Sequence, residues 1–205
     1  MPLHNKHNPQ VLDARFEQAL VYAFHLHSGQ TRKQSQVPYI AHLLGVTAIV
    51  LEDGGSEDEA IAALLHDAVE DQGGLETLEK IRMRFGSNVA DLVLALSDSF
   101  TQPKPPWRER KQAYLESIPG ANPSEIRISL ADKVYNARSI LRDLRLEGEQ
   151  VWSRFNGGKD GTLWYYQQLI FAFQTHGDQP LLSELIRILE QIRLESGPGK
   201  PLEAD

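Results

Sequence analysis

The chain has 205 residues, 41% of them hydrophobic and 24% charged, the proportions of an ordinary globular domain, which exclude global disorder and a fibrous repeat. It contains no cysteine, so disulfides, thiolate zinc sites and cysteine nucleophiles are excluded, and any metal must rest on His, Asp and Glu. With 21 Lys and Arg against 28 Asp and Glu the net charge is −7, which argues against binding of nucleic acid or an anionic membrane.

In chain order, Met1 to Gln10 lacks the apolar core of a signal peptide, and no run approaches the roughly 18 apolar residues of a transmembrane helix, so the cytosol is the expected compartment. The first periodic run is Asp13 to Ser28, with Phe16, Ala19, Leu20, Ala23, Phe24 and His27 on one helical face. A polar loop carrying Arg32, Lys33 and Pro38 leads to a second helix, about Ile40 to Leu51. After the breaker Asp53-Gly54-Gly55, a third helix opens on Ser56 with Glu59 at capping-box spacing and runs to Gly73-Gly74.

Leu75 to Phe85 and Val89 to Leu96 read as short amphipathic helices separated by Gly86. A proline-interrupted loop, Thr101 to Pro106, precedes a charged helix with Trp107, Arg108, Arg110 and Lys111. Asn122-Pro123-Ser124-Glu125 combines an Asn cap, an N1 proline and an N3 glutamate, and starts a long helix to about Leu146. Within it, Ile126 to Leu130 alternates in a way a strand also would. A Gly157-Gly158 turn separates two further helices, Leu181 to Leu194 forms the last, and the tail from Ser196 is expected to fray. The pattern is a single all-α domain over 13–195, with an extension at 1–12 and a tail at 196–205.

His42, His66-Asp67 and Asp132 fall on three different expected helices. A lone histidine is more often structural than a ligand. Here, however, Ala62-Ala63-Leu64-Leu65-His66-Asp67-Ala68-Val69-Glu70-Asp71 ends an apolar helix in charge, and charged groups there must be paired, exposed in a cleft or bound to metal. At four-residue spacing Glu70 is expected over His66 and Asp71 over Asp67, with all four side chains on adjoining strips of one helix. Asp132 and Asn136 share a face, where Asp132 could instead pair with Lys133 or Arg138. Two histidines and two aspartates suit a divalent ion with open positions, such as manganese, better than a closed zinc site.

These motifs resemble an HD-domain metal phosphohydrolase, and more narrowly the hydrolase domain of RelA/SpoT-type enzymes and the small alarmone hydrolases. The matching residues are Arg32-Lys33 followed by Pro38-Tyr39-Ile40-Ala41-His42-Leu43, then Ala62 to Asp71, then Leu130-Ala131-Asp132-Lys133-Val134-Tyr135-Asn136-Ala137-Arg138, in the family's order. The resemblance covers about Phe16 to Thr175 and implies an HD-type helical bundle.

It also implies a Mn²⁺ site formed by His42, His66, Asp67 and Asp132, with Glu70 and Asp71 positioning or deprotonating the attacking water. The implied reaction removes the 3′-pyrophosphate of guanosine tetra- or pentaphosphate, with the adenosine analogue ppApp as a related substrate. Arg32 and Lys33 would bind this small purine nucleotide, the arginine stacking on the base. Asn136 and Ser139 match purine-pocket positions, where relatives often carry threonine in place of Ser139. The loop Gln34-Ser35-Gln36-Val37 departs from the Asp and Gly common there.

Lys104, Arg108, Arg110 and Lys111 form the densest basic cluster, from which Lys104 and Arg110 are selected as phosphate contacts; Arg138, Arg142, Arg154 and Lys159 are further cations. The aromatics between Trp152 and Tyr166 are expected to pack helices. The length leaves no room for a synthetase region, so hydrolysis without synthesis is expected. In the resembled family an animal relative also removes the 2′-phosphate of NADPH, so an NADPH phosphatase is an alternative. A different HD phosphohydrolase, such as a nucleotidase or a phosphodiesterase, explains Arg32-Lys33 and Glu70-Asp71 less directly, and the two carboxylates argue against an inactive nucleotide sensor.

Overall fold

The computed structural model describes residues 12–33, 35–97 and 105–197. Lys104, Gln34, most of the expected N-terminal extension and most of the tail therefore lie outside the described residues. Among the described residues the chain forms ten α-helices and two 3-10 turns, and its one strand-like pairing is an isolated bridge between Thr31 and Pro38.

α1 (Ala14–Leu26) starts at Asp13, whose carboxylate accepts the Arg15 amide at 2.6 Å. Its Ala19 and Ala23 are fully buried, and their small side chains let α1 lie against α3 (Glu57–Leu65). Arg15 ties the two helix starts together through Glu57 at 3.2 Å and Asp58 at 2.7 Å. Phe24, expected on the buried face, is 52% exposed. It lies about 80° from Phe16 around the helix, at the edge of a stripe centred on Ala23.

α2 (Ile40–Glu52) and α3 are joined by a tight turn. At its end Ser56 and Glu59 close the expected capping box, the Ser56 amide donating to Glu59 Oε2 at 2.6 Å. The same turn is clamped by Arg127 of α8 (Pro123–Glu147), which donates to Asp53 at 3.0 Å and to Glu59 Oε1 at 2.5 Å.

The single helix expected from Ser56 to Gly73 is divided. α3 ends at Leu65, and α4 (Ala68–Asp71) is one turn. His66 Nδ1 bonds the Ala63 carbonyl at 2.7 Å, the acceptor that the Asp67 amide would use if the helix continued. Glu70 and Asp71 therefore do not continue the ridge of His66 and Asp67. Gly73 (φ 111°) and Gly74 (φ 61°) then take left-handed conformations and turn the chain into α5 (Gly74–Phe85), which packs on α6 (Ser87–Leu96).

α7 (Trp107–Ser117) and a 3-10 turn, Ile118–Gly120, lead to α8, where Asn122 caps the Ser124 and Glu125 amides at 3.0 Å. Ile126 to Leu130, ambiguous by alternation, is helical, with all but Arg127 buried, because α8 runs through the middle of the bundle against α2, α3, α6 and α10 (Pro180–Glu195). Before Gly157 the chain forms a 3-10 turn, Gly148–Arg154, where a helix was expected, and α9 (Gly158–Gln174) follows. No helix among the described residues is long and apolar enough to cross a membrane.

Candidate active site

α2, the α3–α4 junction and α8 bring four side chains from distant parts of the chain to one point. His42 and His66 face each other with Nε2 atoms 3.3 Å apart. Asp67 Oδ2 lies 3.5 Å from His42 Nε2 and 3.1 Å from His66 Nε2. Asp132 Oδ1 closes the group at 3.4 Å and 3.8 Å from the same two nitrogens. His42, His66 and Asp67 satisfy the mutual spacing of a metal-binding cluster, with Asp132 beside them.

The donor set fits a divalent cation. Because His66 Nδ1 donates to the Ala63 carbonyl, its Nε2 is the atom left to ligate, the arrangement that fixes the tautomer of a metal-binding histidine. His42 is oriented by packing, its ring 5.4 Å from that of Tyr39 and 5.0 Å from that of Tyr135. Tyr39 donates its hydroxyl to Asp67 Oδ2 at 2.5 Å. Asp132 is held on both oxygens, by Lys133 at 2.6 Å and by Asn136 at 2.5 Å. The pairing with Lys133 foreseen as an alternative to metal binding thus coexists with the cluster, because it uses the other carboxylate oxygen.

Electrostatics agree with a cation site. Burial pushes the His42 imidazole down, so it is neutral at neutral pH. Burial also opposes charge on His66, but Asp67 and Asp132 outweigh it and raise its pKa to about 9. Asp67 and Asp132 resist the upward push of burial because His66 and Lys133 respectively, with His42, favour the anions; Asp132 falls to about 2. The cluster thus presents two carboxylates at any physiological pH.

Beside the cluster opens a cleft of about 410 Å³. Arg32 and Lys33 enter it from a loop pinned by the Arg32 amide on the Val37 carbonyl at 2.9 Å. Arg32 donates to Asn136 Oδ1 at 2.7 Å, with its guanidinium carbon 6.0 Å and 5.9 Å from the Tyr39 and Tyr135 ring centres. Lys33 donates to Asn156 at 2.8 Å. Lys111, Lys133, Arg142 and Arg154 add four more cations to the lining. Lys133 is paired with Asp132, Arg142 and Arg154 with Asp143, the one carboxylate in the lining, and Arg154 also with Glu147.

The other expected residues are distributed as follows. Asn136 and Ser139 line the cleft, Ser139 donating its hydroxyl to the Tyr135 carbonyl at 3.0 Å. Arg110 is not in the lining; its guanidinium lies 4.0 Å from Glu70 and donates to the Pro105 carbonyl. Asp71 is exposed and accepts from Gln30 at 2.9 Å. Lys104 lies outside the described residues. Of the further cations, Arg138 pairs with Glu184, Lys159 with Glu149, and Arg108 stacks on Trp164.

Sequence reasoning missed several lining residues. Phe155, Tyr165 and Tyr166, assigned to packing, border the cleft, as do Tyr39, Lys133 and Tyr135. Tyr39 and Tyr135 stood in the motifs that carried the resemblance, and their positions three residues before His42 and after Asp132 were the available signal.

Residues 19–163 match the HD domain family. The guanosine-3′,5′-bis(diphosphate) 3′-pyrophosphohydrolase MESH1 of Xenopus tropicalis is 40% identical over 139 residues, covering 66% of this chain and 73% of that protein. Its Homo sapiens counterpart is 38% identical over 143 residues, covering 68% and 75%. Among solved structures, a metazoan ortholog of SpoT that hydrolyses ppGpp superposes with a TM-score of 0.73 at 28% identity, over 87% of this chain and 96% of that one.

Proposed function

The chain belongs to the HD-domain family, among relatives named as 3′-pyrophosphohydrolases, and we propose that it hydrolyses the 3′-pyrophosphate of guanosine-3′,5′-bis(diphosphate), releasing pyrophosphate. The observation that carries this reading is the position of the His-Asp cluster beside a cleft with six cationic side chains, in a chain whose net charge is −7. A small polyanion is the ligand class such a local reversal of charge attracts. The reading takes 13–195 as the hydrolase domain, in the cytosol.

In this reading His42, His66, Asp67 and Asp132 hold Mn²⁺. A bound divalent cation supplies Lewis-acid charge to the phosphoryl oxygens and makes water a nucleophile near neutral pH. Glu70 and Asp71 orient the attacking water and take its proton. Water oxygen bonds to the phosphorus next to the ribose 3′ oxygen, the bond from that phosphorus to the 3′ oxygen breaks, and the 3′ oxygen takes up a proton. Arg32 stacks on the purine, while Lys33 and Lys133 face the phosphates. Because stacking does not distinguish purines, the adenosine analogue falls within the same reading.

The test is mass spectrometry of the purified protein with Mn²⁺ and a panel of ppGpp, pppGpp, ppApp and NADPH. Pyrophosphate release from the guanosine substrates is expected, and His66→Ala or Asp132→Ala abolishes it. Glu70→Gln lowers kcat by about 10²–10⁴-fold with metal still bound. Turnover that survives chelation overturns the reading.

A further inference from the structure

The loop between α1 and α2 carries Gln30 two residues before Arg32, and its side-chain amide spans from that loop to the end of α4. Gln30 Oε1 is 2.7 Å from Nδ1 of buried His27, and it accepts from Gln72 Nε2 at 2.7 Å. Gln30 Nε2 donates to Asp71 Oδ2 at 2.9 Å. These bonds settle which way the amide faces: the reverse orientation would set two NH₂ groups together and a carbonyl against the Asp71 carboxylate.

His27 is anchored in turn, stacked on Tyr39 with ring centres 5.3 Å apart, and Tyr39 bonds Asp67. One bracket thus runs from the cluster through Tyr39 and His27 to Gln30, and from Gln30 to Asp71. Asp71 is exposed on a single-turn helix, so its carboxylate has little packing to fix its rotamer. The Gln30 amide supplies that constraint from the loop that also presents Arg32 and Lys33.

We propose that Gln30 is a positioning residue that holds the Asp71 carboxylate in register with a nucleotide bound by the Arg32-Lys33 loop. The proposal rests on the hydrolase reading for what Asp71 does, but the bracket itself is a statement about the fold. A carboxylate released from it still exists but samples other rotamers, so turnover suffers while binding does not.

The experiment is a double-mutant cycle of wild type, Gln30→Met, Asp71→Asn and the pair, in the full chain with Mn²⁺. Gln30→Met is expected to lower kcat on ppGpp by about 10-fold or more with KM within about twofold, and the pair is expected to be no slower than Asp71→Asn alone. Gln30→Glu, which sets a carboxylate against Asp71, should be at least as slow as Gln30→Met. Wild-type kcat in Gln30→Met, or a loss that multiplies with that of Asp71→Asn, overturns the proposal. If wild type itself leaves ppGpp intact, the hydrolase reading falls, and the same four proteins in thermal unfolding decide the bracket. Sub-additive shifts in Tm uphold it and additive shifts overturn it.

Discussion

The Tyr39 hydroxyl donates to Oδ2 of Asp67 at 2.5 Å, on the same oxygen that faces both cluster histidines. Burial together with Asp67 keeps the phenol protonated far above its usual range, so the bond is a donor at every working pH. An outer hydrogen bond of this kind aims the carboxylate and tunes its affinity for a cation.

Tyr39→Phe keeps the ring that packs on His42 and His27 and removes only the donor. Mn²⁺ affinity is expected to drop by about 10-fold, within the range seen for outer-sphere partners, with little change in thermal stability. Calorimetric titration reads it directly, and wild-type affinity in the variant would remove Tyr39 from the metal's support.

Metal binding should release a proton. With its pKa raised to about 9, His66 carries a proton at neutral pH that a cation must displace from Nε2. On the proposed site, Mn²⁺ affinity is therefore expected to rise with pH up to about 9. In chelator-treated protein the stabilising contribution of protonated His66 is fully present below 6.5, its ordinary value, and is lost as pH rises through about 9. Titrations in buffers of different ionisation enthalpy would show no proton release if His66 bound metal without changing its protonation.

Gly45 of α2 lies against the Tyr135 ring, and a Cβ there would overlap the ring edge. Gly45→Ala gains about 1 kcal/mol of helix propensity but forces Tyr135 to move, at a cost of about 1–3 kcal/mol. Because Tyr135 donates to the Ala41 carbonyl at 3.2 Å and lies under Arg32, the expected outcome is a raised KM with unchanged or lower Tm. A variant that is more stable with unaltered KM would show that the ring yields freely.

Glu59→Gln tests the clamp between α3 and α8. Burial opposes the Glu59 anion, but the Ser56 hydrogen bonds and the Arg127 guanidinium outweigh it and hold the carboxyl below its ordinary 4.5. A depressed carboxyl stabilises above the unfolded value and loses that contribution as pH falls through the folded one. The variant should be less stable than wild type by about 1–3 kcal/mol near pH 7, in urea unfolding, with the gap narrowing below about pH 4.5. A gap independent of pH would assign the effect to shape and not to charge.

Much of this architecture is carried by local pattern. The caps at Ser56 and Asn122 and the helical spacing of α2, α8 and α10 are set by residues within one or two turns of each other, so they can be read in one dimension. The cluster members could be named because His42, His66-Asp67 and Asp132 keep a family's order. The absence of cysteine had already restricted any metal to nitrogen and oxygen ligands, and the −7 charge had restricted any polyanion to a local site.

Tertiary structure decided the rest. The break after Leu65 depends on a histidine side chain taking a backbone carbonyl, which no periodicity records. That Arg110 lies beside Glu70 while Lys111, Arg142 and Arg154 line the cleft follows from how α7, α8 and the Gly148–Arg154 turn are stacked. Arg32 meets Asn136 across 104 positions, and Lys33 meets Asn156 across 123. Hydrophobic spacing specifies which face of each helix is buried, but a cleft is made by the edges of several faces at once. Which edges meet is fixed by the packing of helices far apart in the chain.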